Sequence, residues 1–333
     1  MGLRWGIVGY GWVAHDFMLP AIAASGGRVI AVADTSSVAR DRAQADGLTA
    51  YQTVIELLNA VQLDAVYVAT PNNHHAEAVI ELARSGMPIL CEKPLAATLD
   101  DAEAMYAAVK EHNVMYGTAF DQRHHPAHRA MHDMVQAGDM GVPISVRIVY
   151  ACWLSPTWIT GAQTVNWRVD PQAAGGGAVI DLALHGLDLV QMLLDEPLQS
   201  LSITLQRRIH NYAVDDGGML TARSAGGVLV SQHVAYNYAE VLPRRRLEIL
   251  CEAGMLTAID TMGQTSGGSL SRHCGRTGNM TSVPFDMSLS PFVAQARAFT
   301  AAVKGMPHDF SIERDIALVR LFDAAYQEAR SCL

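Results

Sequence analysis

The chain has 333 residues, 50% of them hydrophobic and 17% charged. At about 150 residues per domain this length suggests two domains, and so much apolar side chain excludes a disordered chain or a coiled coil. With 24 Lys and Arg against 33 Asp and Glu, the formal net charge is −9. That balance speaks against a nucleic-acid partner, which needs a basic face, and against docking on an anionic membrane.

The five cysteines, at 91, 152, 251, 274 and 332, are scattered and contain no C-x-x-C pair. Neither a disulfide framework nor a structural zinc site is expected, and reduced thiols in a cytoplasmic protein fit better. No apolar run approaches the roughly 18 residues of a membrane span. From Met1 to Gly6 the N-terminus runs straight into a strand-like segment, without the basic, apolar and small-residue succession of a secretion signal.

Through the first 120 residues short apolar runs alternate with amphipathic stretches. Strands are expected at 5–8, 29–33, 65–69, 89–91 and 114–117, and helices at 13–24, 38–45, 76–85 and 99–111. Strands separated by helices imply parallel pairing with right-handed crossovers, and continuously apolar strands imply a sheet covered on both faces. This is a doubly wound α/β domain of Rossmann type. After Phe120 comes a polar stretch rich in His and Arg, from Asp121 to His132. Longer strands are then expected at 144–153, 198–209, 218–225, 227–235, 246–251 and 255–259, with helices at 178–194, 291–304 and 312–330. Consecutive strands without intervening helices suggest an open, largely antiparallel sheet in an α+β domain. The Gly- and Ser-rich stretch 261–280 reads as a mobile loop. The expected division is a dinucleotide-binding domain at 1–120 and a substrate-binding, oligomer-forming domain at 121–333, with the cofactor and substrate in the crevice between them.

Gly9-Tyr10-Gly11-Trp12-Val13-Ala14 fits G-x-G-x-x-A directly between an expected strand and an expected helix. Gly9 permits the tight turn, Gly11 lets the backbone approach a pyrophosphate, and Ala14 lets the helix pack closely. The helix start then offers N–H groups to the phosphates. Asp34 closes the second strand near the place where an acid accepts from a ribose hydroxyl, about 20 residues on. Its charge would repel a 2′-phosphate, so NAD is favoured, with NADP possible through Arg40. Thr70, Pro71 and Asn72 end the third strand at the edge that lines a ligand crevice in such sheets.

The fourth strand ends in Leu90-Cys91-Glu92-Lys93-Pro94-Leu95. Together with Pro71-Asn72 and His75, Trp167-Arg168, Gly175-Gly176-Gly177, and Asp181 followed by His185, this motif set resembles the glucose–fructose oxidoreductase / inositol dehydrogenase / rhizopine catabolism (Gfo/Idh/MocA) family of NAD(P)-dependent oxidoreductases, in order and spacing over nearly the whole chain. Within it the chain looks most similar to the 1,5-anhydrofructose reductases, through Cys91 to Ala96 and Ala127 to Met131. That group prefers NADP, whereas Asp34 points to NAD.

The resemblance implies a cofactor site of Gly9, Gly11, Trp12, Val13, Ala14, Asp34, Thr70, Pro71, Asn72, His75, Glu92, Lys93 and Pro94. It implies a Lys93–Pro94 bond often found in the cis form. It also implies a sugar, polyol, inositol or anhydro-sugar substrate held by Lys93, Arg123, Trp167, Arg168, Asp181 and His185, and assembly as a homodimer or homotetramer.

Hydride transfer from a carbinol carbon needs a group that moves the hydroxyl proton. Lys93 and His185 are the candidates, with Asp181 one helical turn before His185 and so on its face. A carboxylate there can set the imidazole tautomer, and Gly175 to Gly177 would let a substrate approach closely. Arg123 and Arg168 bind substrate or make structural ion pairs. Trp153, Trp158 and Trp167 present rings suited to a sugar or to core packing. His124, His125, His128 and His132 lack a metal-site spacing, so no metal is expected; a polar wall or plain surface is the expected role. An exposed apolar sheet face would be the oligomer surface. The alternatives are a catalytically silent sensor of a sugar or dinucleotide, and a dehydrogenase of a non-sugar substrate such as a dihydrodiol.

Overall fold

The computed structural model describes residues 2–160 and 165–332. Met1, where the leaderless N-terminus was expected to begin, lies outside the described residues. The chain forms two compact units, one of Met1–Ala119, Thr157–Gly175 and Phe292–Ile316, the other of Phe120–Pro156, Gly176–Pro291 and Ala317–Leu333.

The first unit opens with β1 (Arg4–Val8), a π-helical turn (Ala14–Met18), α1 (Leu19–Ala24), β2 (Arg28–Ala33) and α2 (Ser37–Ala45). Then come β3 (Thr49–Tyr51), α3 (Val54–Ala60), β4 (Ala65–Val68), α4 (His75–Arg84), β5 (Ile89–Cys91), α5 (Leu99–His112) and β6 (Tyr116–Thr118). The six strands pair in the order β3-β2-β1-β4-β5-β6, all parallel. This is the expected doubly wound sheet. The edge strand β3 and the short helix α3 escape the sequence pattern because neither carries a continuous apolar run. α3 starts instead on a capping box, Thr53 accepting from the Glu56 N–H while Glu56 reaches back to the Thr53 N–H. One face of the sheet packs Trp5, Ile7, Tyr67 and Leu90 against Phe292 and Phe299 from the end of the sequence.

The second unit contains α6 (Pro126–Gln136), β7 (Pro143–Ala151), and, after α7 (Pro171–Ala174) in the first unit, a π-helical turn (Val179–Ala183) running into α8 (Leu184–Leu194). β8 (Leu198–Gln206), β9 (Gly217–Ser224), β10 (Leu229–Ala235), β11 (Arg245–Cys251), β12 (Gly254–Ile259), β13 (Ser269–Cys274) and β14 (Met280–Ser282) complete its sheet. α9 (Pro291–Val303) and α10 (Ile312–Arg330) end the chain. The eight strands run β14-β13-β12-β11-β7-β10-β9-β8, antiparallel except for β7 beside β10.

Three expectations are corrected here. The stretch 261–280 is not merely a loop, because Ser269–Cys274 pairs residue by residue with β12; backbone pairing stabilises a strand whose polar side chains give no apolar alternation. The helical stretch Pro171–Leu194 is long and apolar enough by composition to cross a membrane. Yet 89% of its apolar window is buried within the protein, and every residue of α8 is buried, as expected of a core helix that is apolar all round. The outer face of the second sheet is not apolar. Its central rows carry Ser145, Arg147, Thr221, Ser231 and Glu248, while Met219, Leu229, Leu250 and Met280 are exposed around them.

Candidate active site

In the first unit the expected cofactor residues gather along the edge of the parallel sheet where its strands end. Gly9 follows β1 with φ +87°, and a Cβ there would lie 2.6 Å from the Thr70 N. Only glycine permits both this left-handed turn and the close approach of the chain after β4. Trp12, Val13 and Ala14 open the helical segment behind it, whose π turn is a frequent mark of functional helices. Asp34 ties the turn to β2, Oδ2 accepting from the Tyr10 N–H at 2.7 Å and Oδ1 from the Ser36 N–H at 2.8 Å. A carboxylate has about four lone-pair positions, so two remain for ribose hydroxyls. Arg40 Nη1 donates to the Asp34 and Thr35 carbonyls at 2.8 and 2.9 Å.

Thr70 Oγ1, just past β4, is buried without a hydrogen-bond partner. A buried hydroxyl left unpaired is costly, and a ligand at this edge would satisfy it. With the open lone pairs of Asp34, that orphan fits a bound dinucleotide. Pro71 starts the short turn Asn72–His74, and Asn72 Nδ2 donates to the Ala174 carbonyl at 2.9 Å. His75 is buried, with Nδ1 2.9 Å from the Pro94 carbonyl and Nε2 3.0 Å from the Thr70 carbonyl. Burial lowers its pKa, which keeps it neutral. It thus braces the turn after β4 against the loop after β5.

That loop holds Glu92, Lys93 and Pro94, and the Lys93–Pro94 bond is cis, as the resemblance implied. Glu92 accepts from the Tyr67 hydroxyl at 2.5 Å. Burial raises its pKa, against the opposing effects of the Tyr67 hydrogen bond and of the Lys93 and Arg168 charges. Arg168 lies against two indoles, its guanidinium carbon 5.0 Å from the Trp158 ring centre and 4.6 Å from that of Trp167. Trp158 meets Trp12 edge-on at 5.5 Å, so its indole lies beside the glycine-rich turn.

The second unit assembles a separate titratable cluster. The expected Asp181–His185 pairing spans a π turn that runs into an α-helix. Asp181 belongs to the π turn, and its Oδ2 accepts from the Tyr236 hydroxyl at 2.7 Å. At ion-pair distance from His185 Nδ1 stands Asp121 Oδ1, 3.3 Å away, with both side chains under 9% exposed. Tyr150 meets the imidazole edge-on at 5.7 Å, and burial raises its pKa. Asp121 is a residue the motif reading missed: it sits in the polar stretch after Phe120, and no periodicity marks it.

Arg123 pairs with Asp188 through two bonds, Nε to Oδ2 at 2.7 Å and Nη2 to Oδ1 at 2.8 Å. Both are nearly fully buried, which favours the structural of its two expected roles. The glycines at 175–177 admit the chain's own atoms. A Cβ on Gly177 would lie 2.0 Å from the Asp215 carbonyl, and one on Gly175 2.2 Å from that of Ala97. Asp215 in turn accepts from the Gly177 and Val179 N–H groups and fixes the start of the helical segment that leads into α8. Trp153 packs edge-on against His210 at 4.6 Å.

The histidine stretch is neither wall nor surface at its centre: His125 and His128 are fully buried. His128 Nδ1 lies 2.8 Å from the Gln122 carbonyl and Nε2 2.9 Å from Thr261 Oγ1, so both ring nitrogens are in use. Burial lowers the pKa of His125 to about 4 and that of His128 to about 3.

Comparison with known proteins agrees with this geometry. Residues 3–120 match the profile of the Gfo/Idh/MocA oxidoreductase family with its NAD-binding Rossmann fold, and residues 128–257 match that family's C-terminal domain. The chain is similar to the 1,5-anhydro-D-fructose reductase of Ensifer adhaerens, 36% identical over 237 residues that cover 70% of this chain and 69% of that one. It is similar to the D-xylose 1-dehydrogenase (NADP(+)) 2 of Haloferax volcanii, 27% identical over 99% of this chain and 98% of that one. Its fold resembles the solved structure of a levoglucosan dehydrogenase in complex with NADH and levoglucosan, with a TM-score of 0.86, 22% identity and coverage of 99% and 98%. The chain belongs to the Gfo/Idh/MocA family of NAD(P)-binding oxidoreductases.

Proposed function

We propose that the protein transfers hydride between the nicotinamide of NAD and a hydroxyl-bearing carbon of a sugar, polyol or anhydro-sugar. The observation that carries this reading is one edge of one sheet bearing the glycine-rich turn, the Asp34 bridge and the Glu92-Lys93-Pro94 loop together. NAD, when bound, supplies the hydride acceptor. Gly9, Gly11 and the helix start behind Trp12, Val13 and Ala14 hold its phosphates, Asp34 its ribose, and Thr70, Pro71 and Asn72 its nicotinamide end.

Lys93 hydrogen-bonds the reacting oxygen as an ammonium donor and stabilises the charge that develops on it. As the carbinol C–H bond gives up hydride, the O–H bond breaks and its proton passes to His185. The reverse direction returns the proton from the imidazolium to the new alkoxide. Arg168, held over the rings of Trp158 and Trp167, presents donors to substrate hydroxyls. Residues 1–120 serve as the cofactor module and 121–333 as the substrate and assembly module. The outer face of the second sheet, polar at its centre with apolar residues around it, pairs copies into a dimer or tetramer. The unpaired thiols among the described residues suit a cytoplasmic enzyme.

The test follows reduced-nicotinamide absorbance with the purified protein, offering NAD and NADP against sugars, polyols, inositols and anhydro-sugar ketones in both directions. Activity with NAD and a sugar-like substrate is expected. Lys93→Ala should lower kcat by about 10²–10⁴-fold while cofactor binding, followed by tryptophan fluorescence, stays within a few-fold. Normal turnover in that variant would refute the assignment.

A further inference from the structure

We infer that Asp121 is the positioning residue of His185. Its carboxylate at Nδ1 holds the imidazole in the tautomer that leaves Nε2 to exchange the substrate proton. The inference deepens, and rests on, the reading of His185 as the proton carrier.

The geometry is local to the second unit. Asp121 Oδ1 stands 3.3 Å from His185 Nδ1. Its other oxygen, Oδ2, accepts from Gln122 Nε2 at 2.9 Å, and the same Gln122 nitrogen donates to the Gly263 carbonyl at 3.0 Å. The carboxylate therefore cannot swing freely, and Tyr150 edge-on to the imidazole fixes the ring plane. Asp181 Oδ2 accepts from the Tyr236 hydroxyl.

A neutral imidazole carries one N–H, and the negative charge 3.3 Å from Nδ1 favours the proton on that nitrogen. Nε2 is then the basic atom. When Nε2 takes the carbinol proton, the Nδ1–H stays in place and the adjacent negative charge stabilises the imidazolium. In a site this buried, that charge is little screened.

Other charged and titratable groups surround the ring. Asp181 lies on the π turn before it, and Asp188, paired with Arg123 from the turn at Asp121–His124, lies one turn beyond it on the same helix. Tyr150 on β7 feels Asp121, Asp181 and Cys152 on one side and Arg245 on the other. Asp121 stands at ion-pair distance from Nδ1, and Asn is its near-isosteric uncharged substitute.

Asp121→Asn keeps the shape and an acceptor for Gln122 while removing the charge. An opposite charge favours the protonated imidazole, so its loss lowers the His185 pKa. In alcohol oxidation His185 works as the neutral base, and the acidic limb of kcat against pH should move down by about one unit. kcat at neutral pH should fall about tenfold or more, with the KM for NAD within about threefold because Asp34 and the glycine-rich turn are untouched. Independently of turnover, ¹⁵N-histidine NMR on the full chain reads the tautomer, with the His185 signals identified by their loss in His185→Gln. The Nδ1–H form is expected in the wild type, with a shift toward the Nε2–H form in Asp121→Asn.

A wild type dominated by the Nε2–H form would overturn the inference. So would an Asp121→Asn variant that changes neither tautomer nor pH limb. If that variant fails to fold, the wild-type tautomer still decides. If His185→Gln keeps normal turnover, the proton-carrier reading falls, while the tautomer result still says what Asp121 does to the ring.

Discussion

The two units build their sites by opposite rules. In the parallel sheet all six strands end at one edge, so the residue following each strand arrives there without help from tertiary detail. Gly9 after β1, Asp34 after β2, Thr70 after β4 and Lys93 after β5 are neighbours because of strand direction alone. In the largely antiparallel sheet, successive strands end at alternate edges. The surroundings of His185 are drawn instead from a turn at Asp121, from β7 at Tyr150, from the helix itself and, through Asp181, from Tyr236 beyond β10. A site of the first kind tolerates changes in the packing beneath it, whereas one of the second kind depends on the ion pairs and buried rings that hold its segments together.

The largest expected effect tests that dependence. Arg123→Ala would remove the cation that Asp188 of α8 pairs with in a buried setting. Removing one partner of such a pair, here the Arg123 partner of Asp188 within α8, costs about 3–5 kcal/mol, so the urea midpoint should drop sharply and activity should fall with the folded fraction. If instead the midpoint barely moves while the substrate KM rises, Arg123 serves the substrate rather than the scaffold.

This contrast also explains what the sequence could reveal. The parallel sheet was legible because each functional turn follows an apolar run: Trp5 to Val8 announces Gly9, and Ile89 to Cys91 announces Glu92-Lys93-Pro94. β3 was missed because an edge strand of three residues has no such run, and β13 because its Ser, Arg and His side chains mask a strand held by backbone pairing with β12. At His185 the four-residue spacing to Asp181 was readable, but the π turn that carries Asp181 was not. Asp121 lies far along the chain, and its partnership with His185 exists only through packing.

A second, smaller effect follows from the buried histidines of the same unit. His125 and His128 have pKa values of about 4 and about 3 in the folded state, against about 6.5 in an unfolded chain. They are neutral when folded, so the stability they permit is complete above pH 6.5. It is lost as pH falls from there toward 4 and 3, because the unfolded chain takes up protons that the folded one refuses. At pH 5 the loss is about 2 kcal/mol for each, relative to pH 7. Urea midpoints measured from pH 7.5 to 5 should fall accordingly, and His128→Gln should flatten the slope whatever it costs at neutral pH. An unchanged slope would mean that water reaches these rings in the folded state.

The smallest effect belongs to the parallel sheet, where a single side chain can be altered while the rest of the edge stays in place. Asp34→Asn retains one oxygen for the Tyr10 or Ser36 N–H and removes the charge that repels a 2′-phosphate. Arg40, already held at the Asp34 and Thr35 carbonyls, then becomes the nearest cation for that phosphate. The ratio of kcat/KM with NAD to that with NADP should fall about tenfold, or about 1.4 kcal/mol of discrimination. The urea midpoint should shift far less than in Arg123→Ala. A wild type that already prefers NADP would show that Arg40 outweighs Asp34 at the ribose. An Asp34→Asn variant as unstable as Arg123→Ala would show that the glycine-rich turn, too, hangs on one side chain, and the distinction between the two units would fail at the cofactor site.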